Sequence, residues 1–281
     1  MDDKKLFARI EKLFDIGLMG QANVMIAGCG SGGSQVGLQL VMSGIRNFSL
    51  YDNDVLEKEN VIRHICGLRY VGQRKVNAVA DVLRDRNPAA NIELNDIDLM
   101  ECGDMEDRVR KATIVVMATD NEATRYRIND ACVKTNTPFV VGRVFTRGIG
   151  GEVFAYRPGK SGCFACLEAT LERTNYRQGI REIDLVSDEE RDAMYGLPIA
   201  EIKDSPGLNV DIAFITSFHT RLALDAIANR LVERPKNMEP IDNNYFIWGN
   251  RPVHPFKKHF QLQQLFMHPQ TECRVCGKES T

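Results

Sequence analysis

Short apolar runs alternate with amphipathic stretches through the first half of the chain, which is the pattern of repeated β-α-β units. The run Asn23-Val24-Met25-Ile26-Ala27 leads into Gly28-Cys29-Gly30-Ser31-Gly32-Gly33, and a helix-like stretch follows over 34–43. A second apolar run over 48–51 ends in Asp52-Asn53-Asp54. The spacing predicts a helix over 75–86, stopped by Asn87-Pro88 because the residue before a proline is pushed out of the helical region. Strands are predicted over 92–97, 112–117 and 139–142, with a helix over 122–135 between the last two. The continuous apolar run at 112–117 suits a parallel strand buried on both faces. Ahead of all this, residues 4–18 place Leu6, Phe7, Ile10, Leu13 and Phe14 on one face, which predicts an amphipathic N-terminal helix that also carries Arg9.

Beyond Gly142 the rhythm changes. Gly148, Gly150 and Gly151 space short β-like runs such as 152–156, as an antiparallel extension of the sheet would. A charge-rich stretch over 172–204 has little periodicity and reads as a mobile crossover loop over the site, near 171–206. A helix over 210–229 and strands over 245–248 and 260–265 complete the pattern. The fold class predicted is α/β: a doubly wound, Rossmann-like, mostly parallel sheet with an antiparallel extension, in one domain spanning 1–281.

Composition narrows the partners. The 281 residues are 43% hydrophobic and 26% charged, as in a soluble globular protein. With 36 basic and 38 acidic residues the net charge is -2, so no electrostatic footprint for nucleic acid is present. No apolar run approaches the roughly 18 residues of a membrane span, and the charged start leaves no apolar segment for a signal peptide. The expectation is a cytoplasmic protein with neither nucleic acid nor membrane as partner. Of eight cysteines, Cys29, Cys66, Cys102 and Cys132 are isolated, whereas Cys163/Cys166 and Cys273/Cys276 form two C-x-x-C pairs. Four soft ligands suit a closed tetrahedral Zn²⁺ site, so the predicted fold includes a four-cysteine zinc site.

A strand, a tight glycine turn and a helix start make a phosphate cradle, because backbone N–H groups and the helix dipole both face an anion. Gly28, Gly30, Gly32 and Gly33 are therefore candidate nucleotide contacts, and Asp52 at a strand end can meet a ribose hydroxyl or brace the turn. Asp120 ends another strand, at the edge where open α/β sheets bind ligands, and could alternatively cap the helix after it. His64 reads as a structural neighbour of the site.

Gly28-x-Gly30-x-x-Gly33, Asp52-x-Asp54, Asn60-x-x-Arg63, Gly72-x-x-Lys75, Thr119-Asp120 and the two C-x-x-C pairs, in that order, resemble the ThiF/MoeB/HesA family of E1-like adenylyltransferases. The resemblance implies ATP-dependent adenylation of a C-terminal carboxylate, on a ubiquitin-like or sulfur-carrier protein with a Gly-Gly tail or on a peptide, with Mg²⁺ as cofactor. It implies that Asp54 holds the ribose, Asn60 orients phosphate oxygens, Arg63 and Lys75 neutralise phosphate charge, and Asp120 holds Mg²⁺. It also implies a homodimer in which Arg9 reaches the nucleotide of the partner. Several members of that family carry a cysteine in the crossover region that takes the acyl group as a thioester or persulfide, but between Leu167 and Glu272 this chain has none. Adenylation without a thioester is expected, with Cys66 the alternative thiol. The competing readings are an NAD-dependent oxidoreductase, which leaves Arg63, Lys75, Asp120 and four cysteines without roles, and a catalytically silent scaffold.

Overall fold

The computed structural model describes residues 3–11, 15–145, 148–178, 180 and 208–277. Eight strands form one sheet: β1 (Asn23–Ala27), β2 (Asn47–Tyr51), β3 (Asn91–Asn95), β4 (Ile114–Met117), β5 (Phe139–Val144), β6 (Gly150–Tyr156), β7 (Tyr245–Gly249) and β8 (Gln261–Leu265). Their order across the sheet is β3-β2-β1-β4-β5-β6-β7-β8. The first five are parallel, and β6, β7 and β8 pair antiparallel. Strand order therefore reverses between β1 and β4, the switch point where a doubly wound sheet opens a crevice at its carboxyl edge.

The helices are α1 (Asp3–Leu6), α2 (Ile16–Met19), α3 (Ser31–Met42), α4 (Lys75–Arg86), α5 (Met105–Lys111), α6 (Glu122–Thr135), α7 (Phe164–Arg173) and α8 (Asn209–Ala228). One apolar layer joins α3, α4 and α8 to one face of the sheet through residues such as Val36, Leu40, Val79, Leu83 and Ala223. The other joins α5, α6 and α7 through Val109, Ile128, Phe164 and Leu167. All four residues of β4 are buried, so the strand tolerates no polar side chain on either face. Among the described residues no helix is long and apolar enough to cross a membrane.

The parallel half, the antiparallel extension and the long helix before β7 match the sequence pattern, and α4 and α6 do so to the residue. Three expectations are corrected. The N-terminal amphipathic stretch is not one helix: α1 ends at Leu6, a turn closes on Phe7, and α2 starts afresh where Asp15 accepts a hydrogen bond from the Leu18 N–H at 2.9 Å. That carboxylate caps a new helix and so competes with continuing the old one. Helix α3 begins three residues earlier than predicted, inside the glycine run. Helices α5 and α7 were hidden, the first by its charge and brevity, the second by the cysteine pair at its start. The charged stretch begins inside α7 and a turn that reaches 178; its remainder from 181 lies outside the described residues.

Candidate active site

A cavity of about 660 Å³ opens at the carboxyl ends of β1, β2, β4 and β5. The glycine turn forms its floor. Gly28 has φ +97°, and a Cβ there would lie 2.9 Å from the Ala118 carbonyl carbon, so only glycine fits both conformation and space. A Cβ on Gly33 would meet the Gly28 carbonyl oxygen at 1.9 Å. That close approach lets α3 pack onto the turn. Gly30 and Gly32 line the cavity, with nothing within 4 Å of an added Cβ. The N-cap of α3 is Gly30, which offers no side-chain cap, so the first N–H groups of the helix remain for an anion.

Asp52 braces this floor. Its carboxylate accepts from the Cys29 N–H at 2.7 Å and from the Asp54 N–H at 2.9 Å, while burial raises its pKa. The exposed Asp54 carboxylate instead pairs with the Lys75 Nζ at 2.6 Å. His64 completes the brace: its Nε2 donates to the Cys29 carbonyl at 2.8 Å and its Nδ1 accepts from the Cys66 N–H at 3.1 Å. Burial lowers the His64 pKa, so a neutral ring holds the loop and the structural reading stands.

Asn60, Arg63, Lys75 and Asp120 all line the same cavity. Asn60 Oδ1 accepts from the Glu57 N–H at 3.0 Å, which closes the turn that presents Arg63. Asp120 is exposed toward the cavity and is not the cap of α6: Asn121 is, accepting from the Thr124 N–H at 3.0 Å. Arg9 stands exposed in the turn after α1 and does not line the cavity of its own chain.

Sequence reasoning missed the arginines that also line this cavity. There Arg125 donates to the Thr119 carbonyl at 3.0 Å and to Glu122 at 2.8 Å. Beside it Arg143, on β5, pairs with Glu168 and, at 2.6 Å, with Glu152 on β6. Arg177 closes the cluster, 3.0 Å from Glu152 and 2.7 Å from Glu168, and the Tyr245 hydroxyl donates to Glu152 at 2.5 Å. Burial alone would raise the Glu152 carboxyl, yet Arg143 and Arg177 hold it below the usual range. The available signal was an arginine and a glutamate at inward positions of two apolar strands. At the far end, His219 of α8 donates from Nε2 to the Val140 carbonyl at 2.9 Å, and burial drives its pKa down to about 4.

The two C-x-x-C pairs meet away from this cavity. Their four sulfurs lie within 4.8 Å of one another, with Cys163–Cys166 at 4.0 Å, Cys163–Cys273 at 3.7 Å and Cys166–Cys276 at 3.4 Å. A tetrahedron of Zn–S bonds near 2.3 Å separates its sulfurs by about 3.8 Å, so donor type and spacing both fit such an ion. The Gln270 N–H points at Cys166 Sγ from 3.5 Å, the kind of outer contact that steadies a thiolate ligand. Cys29, Cys66, Cys102 and Cys132 are all buried, and burial pushes the Cys66 thiol up to about 12.

Comparison with known proteins bears on all of this. The profile described as ThiF family matches residues 16–273. A protein named adenylyltransferase and sulfurtransferase MOCS3-2, from Zea mays, is 37% identical over 153 residues, 54% of this chain and 31% of its own. Ubiquitin-like modifier-activating enzyme 5 of Caenorhabditis elegans is 27% identical over 200 residues, 63% of this chain and 48% of its own. The matched stretches thus span from a third to a half of these relatives. Among solved structures, E. coli MccB superposes with a TM-score of 0.69 at 22% identity, over 95% of this chain and 68% of its own. PaaA gives 0.69 at 18% identity, over 95% and 83%. At those identities the likeness is one of fold.

Proposed function

The chain belongs to the ThiF family, and on that premise we propose that it is a single adenylation domain that uses ATP to activate the terminal carboxylate of a protein or peptide tail. The observation that carries this reading is the convergence, on one cavity at the β1/β4 switch point, of the glycine turn, Asp54, Asn60, Arg63, Lys75 and Asp120. The named relatives include a ubiquitin-like modifier-activating enzyme, and MccB is described in complex with N-formylated MccA. The substrate proposed here is accordingly a small ubiquitin-like or sulfur-carrier protein ending in Gly-Gly, or a peptide.

In the reaction, a carboxylate oxygen of the tail attacks the α-phosphorus of ATP; the new O–P bond forms as the bond to pyrophosphate breaks. Two anions approach while a third leaves, so fixed positive charge and N–H donors lower the barrier most. The uncapped start of α3 cradles phosphate, Lys75 and Arg63 take the charge that grows on pyrophosphate, and Asn60 orients phosphate oxygens. Asp54, which holds Lys75 at 2.6 Å in this structure, meets the ribose. Asp120 would hold Mg²⁺, which when bound neutralises phosphate oxygens. Arg9, exposed on its own chain, would serve the cavity of a partner in a homodimer. The acyl group stays on AMP without a thioester: no cysteine lies between Leu167 and Glu272, and the alternative thiol, Cys66, is buried and hard to ionise. Cys163, Cys166, Cys273 and Cys276 would hold a structural Zn²⁺ with no coordination position left open.

The test is exchange of labelled pyrophosphate into ATP, with and without tails ending in Gly-Gly. Tail-dependent exchange that falls by about 10² to 10³ in Asp120→Ala is expected. ATP binding without exchange for any tail would favour a silent scaffold, and no ATP binding at all would return the site to the dinucleotide reading.

A further inference from the structure

From 243 to 271 the chain has no aspartate or glutamate, although at its average of 38 acidic residues in 281 about four would fall in a stretch of that length. The same stretch holds Arg251, Lys257 and Lys258 and three of the five histidines, His254, His259 and His268. It covers β7, the loop over 250–260 and β8, which is the edge strand of the sheet. Arg251, His254, Lys257, Lys258 and His259 are all exposed on that loop, and among the described residues no carboxylate pairs with them. Lysines beside an edge strand guard it against pairing with another chain. Guarding works with either sign of charge, so it does not explain why acids are missing.

The loop is anchored at several points. Phe256 is buried against Gly249, where an added Cβ would lie 2.1 Å from its ring. The Lys257 N–H donates to Gln261 Oε1 at 2.7 Å, and Gln263 Nε2 donates to the Pro255 carbonyl at 3.2 Å. Phe260 then stands 77% exposed with φ +54°. That left-handed region disfavours a bulky side chain, and backbone strain of this kind gathers at sites that contact ligands. Leu262, also exposed, extends the apolar spot onto β8. Strand pairing places all of this beside the cavity. Val144, which lines the cavity, pairs with Gly151, Gly151 with Trp248, and Trp248 with Leu262. Three strand spacings of about 4.8 Å put Leu262 about 14 Å from Val144, the span of roughly four or five extended residues.

Resting on the adenylation reading above, we propose that the loop over 250–260 and the start of β8 form a docking surface for an acidic segment of the substrate that lies just upstream of its tail. Arg251, Lys257 and Lys258 supply positive charge, Phe260 and Leu262 supply apolar contact, and the tail spans from there to the nucleotide. A chain of net charge -2 with one acid-free loop beside its cavity steers an anionic partner to that side. Exposed charges of this kind act on encounter and leave the chemical step alone. Either form of substrate, a carrier ending in Gly-Gly or a peptide, can bear such a segment.

The probes are three synthetic peptides ending in Gly-Gly, used with the full chain, that differ only at the residues five to eight from the end, which are all Glu, all Gln or all Lys. Pyrophosphate exchange gives kcat and KM, and fluorescence anisotropy with a non-hydrolysable ATP analogue gives affinity without chemistry. The expected result is a kcat/KM for the Glu peptide on the order of tenfold above that for the Gln peptide, carried by KM, with the Lys peptide poorest. At about 1 M salt, where screening acts within about 3 Å, the ranking flattens. In Lys257→Glu/Lys258→Glu the ranking inverts, while affinity for ATP alone and the thermal midpoint stay as in the native chain. Phe260→Gly, which suits the left-handed backbone, folds as stably and raises KM for all three peptides. A Glu preference that survives in Lys257→Glu/Lys258→Glu, or equal use of all three peptides by the native chain, overturns the proposal. So does a flat peptide ranking together with binding of the native chain, but not of that variant, to vesicles of phosphatidylserine and phosphatidylcholine, which would assign the loop to an anionic membrane. Exchange absent for every peptide refutes the adenylation reading instead, and the anisotropy ranking then decides the role of the loop by itself.

Discussion

The parallel and antiparallel halves of the sheet assemble their chemistry in opposite ways. In the parallel half several of the polar groups sit in the loop that follows a strand, a few residues from the element that positions them: Asp52 after β2, Asp120 after β4, the glycine turn after β1. In the antiparallel half the groups meet through pairing and distant contact. Arg143 faces Glu152 across two strands, Glu168 arrives from a helix, Arg177 from the turn beyond it, and Cys163 finds Cys273 at a separation of 110 residues. The first kind of site depends on loop geometry, the second on the whole sheet being in register. Damage to the second should therefore appear first as lost stability.

The sharpest break would come at the cysteines. One zinc per chain by elemental analysis is expected, with none retained in Cys273→Ser/Cys276→Ser and a lower thermal midpoint. That loss should stay below the roughly 10–16 kcal/mol of peptides whose entire fold depends on zinc, because the sheet remains. Glu152→Ala comes next. It leaves Arg143 and Arg177 in the interior sharing Glu168, and about 3–5 kcal/mol of unfolding free energy should disappear in urea titration. If instead the variant unfolds like the native chain, the antiparallel half is not held together in the way described.

His219 sits where the halves join, on α8 against Val140. Its folded pKa of about 4 lies below the ordinary value near 6.5, so the unfolded chain takes up the proton first as pH falls. The stabilisation is complete above about pH 6.5 and drains away toward pH 4, about 3 kcal/mol in all at 1.36 kcal/mol per pH unit. His64, shifted in the same direction, adds to the slope. Urea midpoints between pH 7 and 4 should fall less steeply in His219→Asn than in the native chain, once both are referred to pH 7. Smallest of all, Asn121→Ala removes one N-cap from α6 and should cost about 1 kcal/mol, the size of a purely local error in the parallel half.

This division also explains what the sequence made legible. Motifs that act within one loop can be seen in a line of residues, which is why the cavity, the glycine floor and the bracing role of Asp52 were anticipated and why α4 and α6 were delimited by their own punctuation. The packing need at Gly33 was not legible, because a glycine that admits a ligand and one that admits a neighbouring carbonyl look alike until the Gly28 carbonyl oxygen is seen 1.9 Å from its missing Cβ. Arg143 and Glu152 were invisible as a pair, since nothing in either strand says which residue will stand opposite. The N-terminal stretch deceived through its periodicity: α1 ends at Leu6, and Asp15 caps a separate short helix.

The cysteine cluster carries a consequence for biosynthesis. Its first two sulfurs leave the ribosome 110 residues before their counterparts, and neither pair alone can enclose a tetrahedral ion. A four-cysteine metal site would therefore close only once the chain extends past Cys276, and a chain cut short before that residue would carry the two thiols at the start of α7 without their counterparts.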